Sequence, residues 1–259
     1  MIHESKSVHD ILCHARRFLV CLFHVFWVIL FYVLFGTMVQ VFFHADAVTA
    51  TCITGGLLAL FCTGLHFDDI RNGFLVSSRH SRIADVCSIF YAGFLSVSMM
   101  VLFSWFYAYF PERGMEQRSY LFGNMSVFVY ILYACVMAPV TEECIFRFFL
   151  YNRLKRLSGR YAALFLSSAA FAMVHGTLAH MVIAFLFGAM QVVIYEYTGR
   201  WYMAVVCHML YNVLSIFVSV PLFMICNHIF IFILFVVVVL LIFVPFCIFD
   251  VILNKKSDL

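Results

Sequence analysis

Long apolar runs leave this chain few ways to fold. Between about Phe18 and Val251, stretches dominated by Leu, Val, Ile, Phe and Ala alternate with short segments that hold most of the Lys and Arg. About 20 apolar residues suffice for a helix to cross the hydrocarbon core, where a helix satisfies its own backbone. The runs lie near Phe18–Phe43, Val48–Leu65, Ala84–Phe110, Leu121–Asn152, Tyr161–Val174, His180–Tyr195, Trp201–Val220 and Ile229–Val251. The first follows a polar, basic start and imitates a secretory signal, down to Ala45-Asp46-Ala47. It is too long for a signal core of about 7 to 15 residues and reads as a first transmembrane helix. With 65% of residues hydrophobic and 11% charged, no part of the chain has the polar surface of a soluble domain. The expected fold class is all-α: a polytopic membrane protein, one domain over residues 1–259, with about eight transmembrane helices.

The segments between runs set the orientation. With the N-terminus inside, the inside segments hold 13 of the 16 Lys and Arg, the outside segments hold Arg113 and Arg118, and Arg147 is left within a span. Cytoplasmic loops carry the excess of basic residues. The expectation is therefore an integral membrane protein, N-in and C-in, in the plasma (inner) membrane of a bacterium or the ER membrane of a eukaryote. These flanks also account for the net charge of +3, so the partner is the lipid bilayer and not nucleic acid. The ten cysteines are scattered, mostly within apolar runs, and contain no C-x-x-C pair. They read as small buried hydrophobes rather than a disulfide framework or a zinc ribbon.

Against that background Pro139-Val140-Thr141-Glu142-Glu143-Cys144-Ile145-Phe146-Arg147 stands out, placing two carboxylates and an arginine inside a lipid-like run. A lone charge at mid-bilayer costs roughly 2.5 to 3.5 kcal/mol even on mild scales, so such a cluster marks a functional site when its partners can be named. Glu143 and Arg147 are i, i+4 neighbours and are expected to pair. Glu142, about 100° around the helix, is left to face something else. Pro139 removes a backbone hydrogen bond, which points to a kink and a local opening beside the carboxylates.

Two further polar groups lie on later runs: Phe171-Ala172-Met173-Val174-His175, and His208-Met209-Leu210-Tyr211-Asn212, where His208 and Asn212 share a helical face. Each taken alone is equally an interhelical hydrogen-bonder. Depth connects them. At 1.5 Å per residue from the inside ends, Glu142 lies about 15 Å in, His175 about 21 Å, His208 about 10 Å and Asn212 about 16 Å. One polar chamber can hold all four. His24 and Gln191 lack companions at helical spacing and read as core or glue.

A Glu pair with Arg four later, then Phe-x-x-x-His, then His-x-x-x-Asn resembles the three motifs of the CAAX prenyl endopeptidase and bacteriocin-processing (Abi) family of intramembrane proteases. The resemblance spans Ala138–Asn212, within a family-like core of about 121–220. It implies a protease, often labelled a metalloprotease, with Glu142, His175, His208 and Asn212 as catalytic residues and Glu143 and Arg147 in support. The substrate would be a membrane-proximal peptide or a lipidated, CAAX-like protein. Peptide hydrolysis needs an activated water and a stabilised oxyanion. Glu142 with His175 is a credible base, and His208 with Asn212 a credible pair of oxyanion donors. Alternatively Glu142, His175 and His208 ligate a catalytic Zn²⁺ with water in the fourth position. H-E-x-x-H, Gly-x-Ser-x-Gly and Gly-x-Gly-Asp are all absent from the sequence, which removes the usual signatures of other intramembrane hydrolases. Two other classes stay open: a proton-coupled transporter using the same Glu/His cluster as a relay, and a catalytically silent membrane scaffold. No inverted repeat is visible, which weighs against the transporter.

Overall fold

The computed structural model describes residues 19, 23, 26–28, 30–32, 34–44, 47–71, 82–109, 126–175, 178–217 and 228–257. Among these the architecture is helical, with no strand. The helices are α1 (Phe26–Phe43), α2 (Ala47–Arg71), α3 (Arg82–Tyr109), α4 (Val127–Leu132), α5 (Ala138–Glu143), α6 (Asn152–Met173), α7 (Leu178–Thr198), α8 (Trp201–Phe217) and α9 (His228–Ser257). Two π-helical segments, π1 (Tyr133–Met137) and π2 (Cys144–Tyr151), join α4, α5 and α6 into one continuous stretch. His24 lies outside the described residues.

Five stretches are long and apolar enough to cross a membrane: Phe26–Phe43, Asp85–Trp105, Val127–Met173, His180–Thr198 and His228–Pro245. Thr49–Gly64 and Trp201–Ile216 are apolar but shorter. The 47-residue stretch Val127–Met173 is too long for one crossing. It divides at Gly159, whose φ of 79° and ψ of 168° open a bend inside α6. That backbone region is essentially reserved for glycine. The basic segment Arg153–Arg160, expected as a loop, is thus helical up to this single residue. Likewise α2 runs on to Arg71, through residues expected to close the span.

α7 is the most enclosed of the long helices, packed against α3, α6, α8 and α9. Its buried positions are filled by Ile183, Phe187, Met190, Ile194 and the small Ala184 and Ala189. α1 and α9 turn many large side chains outward, Phe42 and Phe43 on one and Ile229 and Phe232 on the other. In water that surface would be a liability; in lipid it is the ordinary outer face.

The helix does not break at Pro139. Ala138 donates its N–H to Tyr133 O, five residues back, so the turn before the proline is already wide. Continuing that register would require an N–H from Pro139 to Ala134 O, and proline has none. Asn212 Nδ2 donates to Ala134 O instead, at 2.7 Å. The adjustment expected as a kink therefore takes the form of π turns on either side of the carboxylates, a geometry that recurs at functional sites. Pro245 within α9 repeats the arrangement: its missing N–H would have served Leu241 O, and the Tyr91 hydroxyl of α3 donates there at 2.9 Å.

Candidate active site

Glu143 is fully buried, and each of its oxygens has a cationic or potentially cationic partner. Oε2 lies 3.1 Å from Arg147 Nε, the i, i+4 pair expected from spacing. Oε1 lies 2.7 Å from His208 Nδ1. Arg147, 1% exposed, also donates from Nη2 to the Gly188 carbonyl at 3.2 Å and stacks its guanidinium 4.4 Å above the Phe171 ring. Removing either member of a buried pair strands the other charge, at a cost of about 3 to 5 kcal/mol. The Gly188 backbone can approach because it has no side chain: a Cβ there would lie 3.2 Å from the Ser168 backbone and 3.3 Å from Arg147 Nη2.

His208 is buried on α8, and its ring lies between the two carboxylates. Nδ1 faces Glu143, and Nε2 faces Glu142 Oε2 at 3.7 Å. A hydrogen bond at one imidazole nitrogen fixes the ring and hands the chemistry to the other. Glu142 is 29% exposed where Glu143 is 0%, so the carboxylate with room for a substrate is Glu142. The Phe187 ring, 4.7 Å from that of His208, closes the apolar side. Asn212, one turn further along α8, ties that helix to π1 through Ala134 O.

His175 lies at the end of α6, where the last turn unwinds. Its Nδ1 is 2.8 Å from Phe171 O, a contact that orients the ring against its own helix. Its ring centroid is 4.5 Å from that of Phe171, which in turn meets His208 edge-on at 6.1 Å. Phe171 thus touches three of the six expected residues: Arg147, His175 and His208. Spacing alone did not single it out, although it opens the Phe-x-x-x-His motif. The link from Glu143 to His208 was also missed, because it depends on how two helices are rotated against each other. His180 is a further neighbour, its ring centroid 5.9 Å from that of His175.

The sequence allows a zinc site of Glu142, His175 and His208. Among the described residues no group of three His, Cys, Asp or Glu is arranged to hold a metal ion. His208 Nδ1 is engaged by Glu143, and His175 Nδ1 lies against its own helix. The side chains as placed do not gather into a three-ligand set. Gln191, expected as glue, is that: it is buried and donates to Ala204 O at 3.0 Å, joining α7 to α8. Cys52, Cys62, Cys87, Cys135, Cys144 and Cys207 are free thiols; Cys62, Cys135, Cys144 and Cys207 are buried as expected, whereas Cys52 is half-buried and Cys87 lies exposed on the outer face of α3.

All six expected site residues lie in one segment that also matches a known family. Residues 124–214 match the family model of the type II CAAX prenyl endopeptidase Rce1-like proteins. Comparison with curated proteins and with solved structures gives no match. The matched segment runs from α4 into α8 and excludes α1, α2, α3 and α9. Over residues 124–214, then, this polytopic membrane protein is similar to the Rce1-like type II CAAX prenyl endopeptidases.

Proposed function

We propose that the chain is an intramembrane endopeptidase that hydrolyses a peptide bond of a membrane-associated or lipid-anchored substrate with a carboxylate-activated water. The observation that carries this reading is the placement of His208 between a fully buried Glu143 at 2.7 Å and a partly open Glu142 at 3.7 Å. Glu143, charge-paired with Arg147, orients the imidazole. Glu142, with room beside it, takes the proton of an attacking water, and His175 shares that proton. His208 Nε2 faces the developing oxyanion and, when protonated, donates to it. The second amide hydrogen of Asn212 is the other donor, the first being held by Ala134 O. The proton taken from the water, shared by Glu142 and His175, then passes to the leaving amine.

The test uses the purified full chain in liposomes, incubated with tagged membrane-proximal peptides, some prenylated at a C-terminal CAAX box and some unmodified. Wild type, Glu142→Ala and His175→Ala run in parallel, with and without chelator. Loss of general-base catalysis is expected to slow cleavage by roughly 10²- to 10⁴-fold. Cleavage surviving unchanged in Glu142→Ala would sink the mechanism. Chelator sensitivity with stoichiometric bound metal would replace the free-water base with a zinc-bound one. Substrate-driven proton flux without cleavage would favour a transporter.

A further inference from the structure

His175 stands two residues past the end of α6, and its N–H reaches back only three residues, to Ala172 O at 3.0 Å. Helix ends fray, so what packs against the ring decides where the ring points. Part of that packing is local: Nδ1 lies 2.8 Å from Phe171 O, and the Phe171 ring is 4.5 Å away between centroids. A second ring contact comes from His180, near the start of α7, at 5.9 Å and tilted by 59°. The His180 ring is itself backed by Phe103 of α3, at 4.7 Å and 33°. A row of four rings, Phe171, His175, His180 and Phe103, therefore runs from α6 past the start of α7 to α3. Phe103 packs against the buried core and α3 is a packing neighbour of α7, so the far end of the row is anchored. Tilted aromatic pairs contribute beyond the area they bury. The helix end that carries His175 gains from them a support its own backbone does not supply.

We propose that His180 is a positioning residue: with Phe103 behind it, its ring holds the His175 imidazole in the orientation that its catalytic role requires. The inference rests on the reading of His175 as a catalytic group, and it extends the site to α3, outside residues 124–214. Misplacing a catalytic group by about 1 Å is enough to slow a reaction substantially.

Wild type, His180→Ala, His180→Phe, Phe103→Ala and the double variant of His180→Ala with Phe103→Ala are compared as full chains in liposomes. One readout is cleavage of the tagged membrane-proximal peptides, resolved into kcat and KM. The other is the rate at which diethyl pyrocarbonate carbethoxylates His175, resolved by site with mass spectrometry. Loss of one aromatic contact corresponds to roughly 2- to 10-fold. In His180→Ala and Phe103→Ala, kcat is expected to fall by that factor with KM within about twofold of wild type, and His175 to react faster by a similar factor. The double variant is expected to lose no more than His180→Ala, since both residues act through one ring. His180→Phe keeps a ring in the row and is expected to recover most of both readouts. Wild-type values of both readouts in His180→Ala would overturn the proposal. So would a His180→Phe that behaves like His180→Ala, which would assign the effect to the polar atoms of the imidazole. Unfolding temperature identifies a variant that fails to fold, and where His180→Ala fails, Phe103→Ala and His180→Phe carry the comparison. If wild type cleaves no peptide, the peptidase reading fails, and the labelling rate of His175 still decides whether His180 holds its ring.

Discussion

Asn212 has a structural contact and a proposed catalytic one, and a proline makes the two separable. Its Nδ2 satisfies the Ala134 carbonyl, which lacks a backbone donor because residue 139 is proline. Asn212→Ala leaves that carbonyl without its partner, at about 1 to 3 kcal/mol. In a Pro139→Ala background the restored N–H is available to Ala134, and Asn212→Ala is expected to cost about 1 kcal/mol less. Thermal unfolding of the four proteins in one detergent closes the cycle, and equal costs in both backgrounds would refute the coupling. Cleavage, in contrast, is expected to fall with Asn212→Ala in either background, because the proposed oxyanion contact does not involve Pro139. At this scale spacing in the sequence was informative only within a helix. Glu143 and Arg147 were expected to pair because i, i+4 residues share a face, and they do, at 3.1 Å. Glu143, expected to pair only with Arg147, also holds His208. That contact joins residues 65 apart and depends on the packing of two helices, which no spacing encodes.

Among the elements, α2 lies outside the matched segment and carries no motif, yet it packs against α5 and both π segments. Its Gly55-Gly56 pair distinguishes a packing role from mere helix content. A Cβ at Gly55 would lie 2.8 Å from Thr141 Cγ2, whereas one at Gly56 would meet nothing within 4 Å. Thr141 immediately precedes Glu142, so α2 sets where that carboxylate stands. Gly56→Ala is expected to be neutral or to stabilise by up to about 1 kcal/mol through helix propensity alone. Gly55→Ala overpacks the contact, costs about 1 to 3 kcal/mol and lowers cleavage. Thr141→Ala placed on top of Gly55→Ala removes the clashing methyl and is expected to recover both. If Gly55→Ala and Gly56→Ala behave alike, α2 is only a neighbour. The sequence shows two adjacent glycines on an apolar run; which one meets α5 depends on the rotation of the helix. Periodicity and hydropathy located most helices to within a few residues. They missed the continuity of Arg153–Ser158 with the preceding helix, because a basic stretch beyond a span reads as loop unless the reader can see that the turn is confined to Gly159.

For the molecule as a whole, ion pairs tie several helix ends into one layer. Arg200, at the start of α8, pairs with Asp85, at the start of α3. Glu196, at the end of α7, gathers Lys155 and Arg160 from either side of the Gly159 bend. The starts of α3 and α8, the Gly159 bend and the end of α7 therefore lie at one face, and that face holds Arg153, Lys155, Arg156, Arg160 and Arg200. This layer agrees with the basic segments expected on the inside. Eight crossings require more than the five long stretches: the Gly159 bend must divide Val127–Met173 into two passes, and the shorter Thr49–Gly64 and Trp201–Ile216 must each cross. Together these give eight, and eight has a testable consequence. Epitope tags are placed at the N-terminus, between residues 112 and 118, and at the C-terminus of the full chain, and sealed vesicles of known orientation are probed with and without permeabilisation. Both termini are expected on the face that carries Arg153–Arg160, and the 112–118 tag on the other. Termini on opposite faces would mean an odd count, with one of the short helices lying in the membrane without crossing it. Trp201–Ile216 is the more consequential of the two, because it carries His208 and Asn212, and its depth sets the level at which His208 stands beside Glu142 and Glu143.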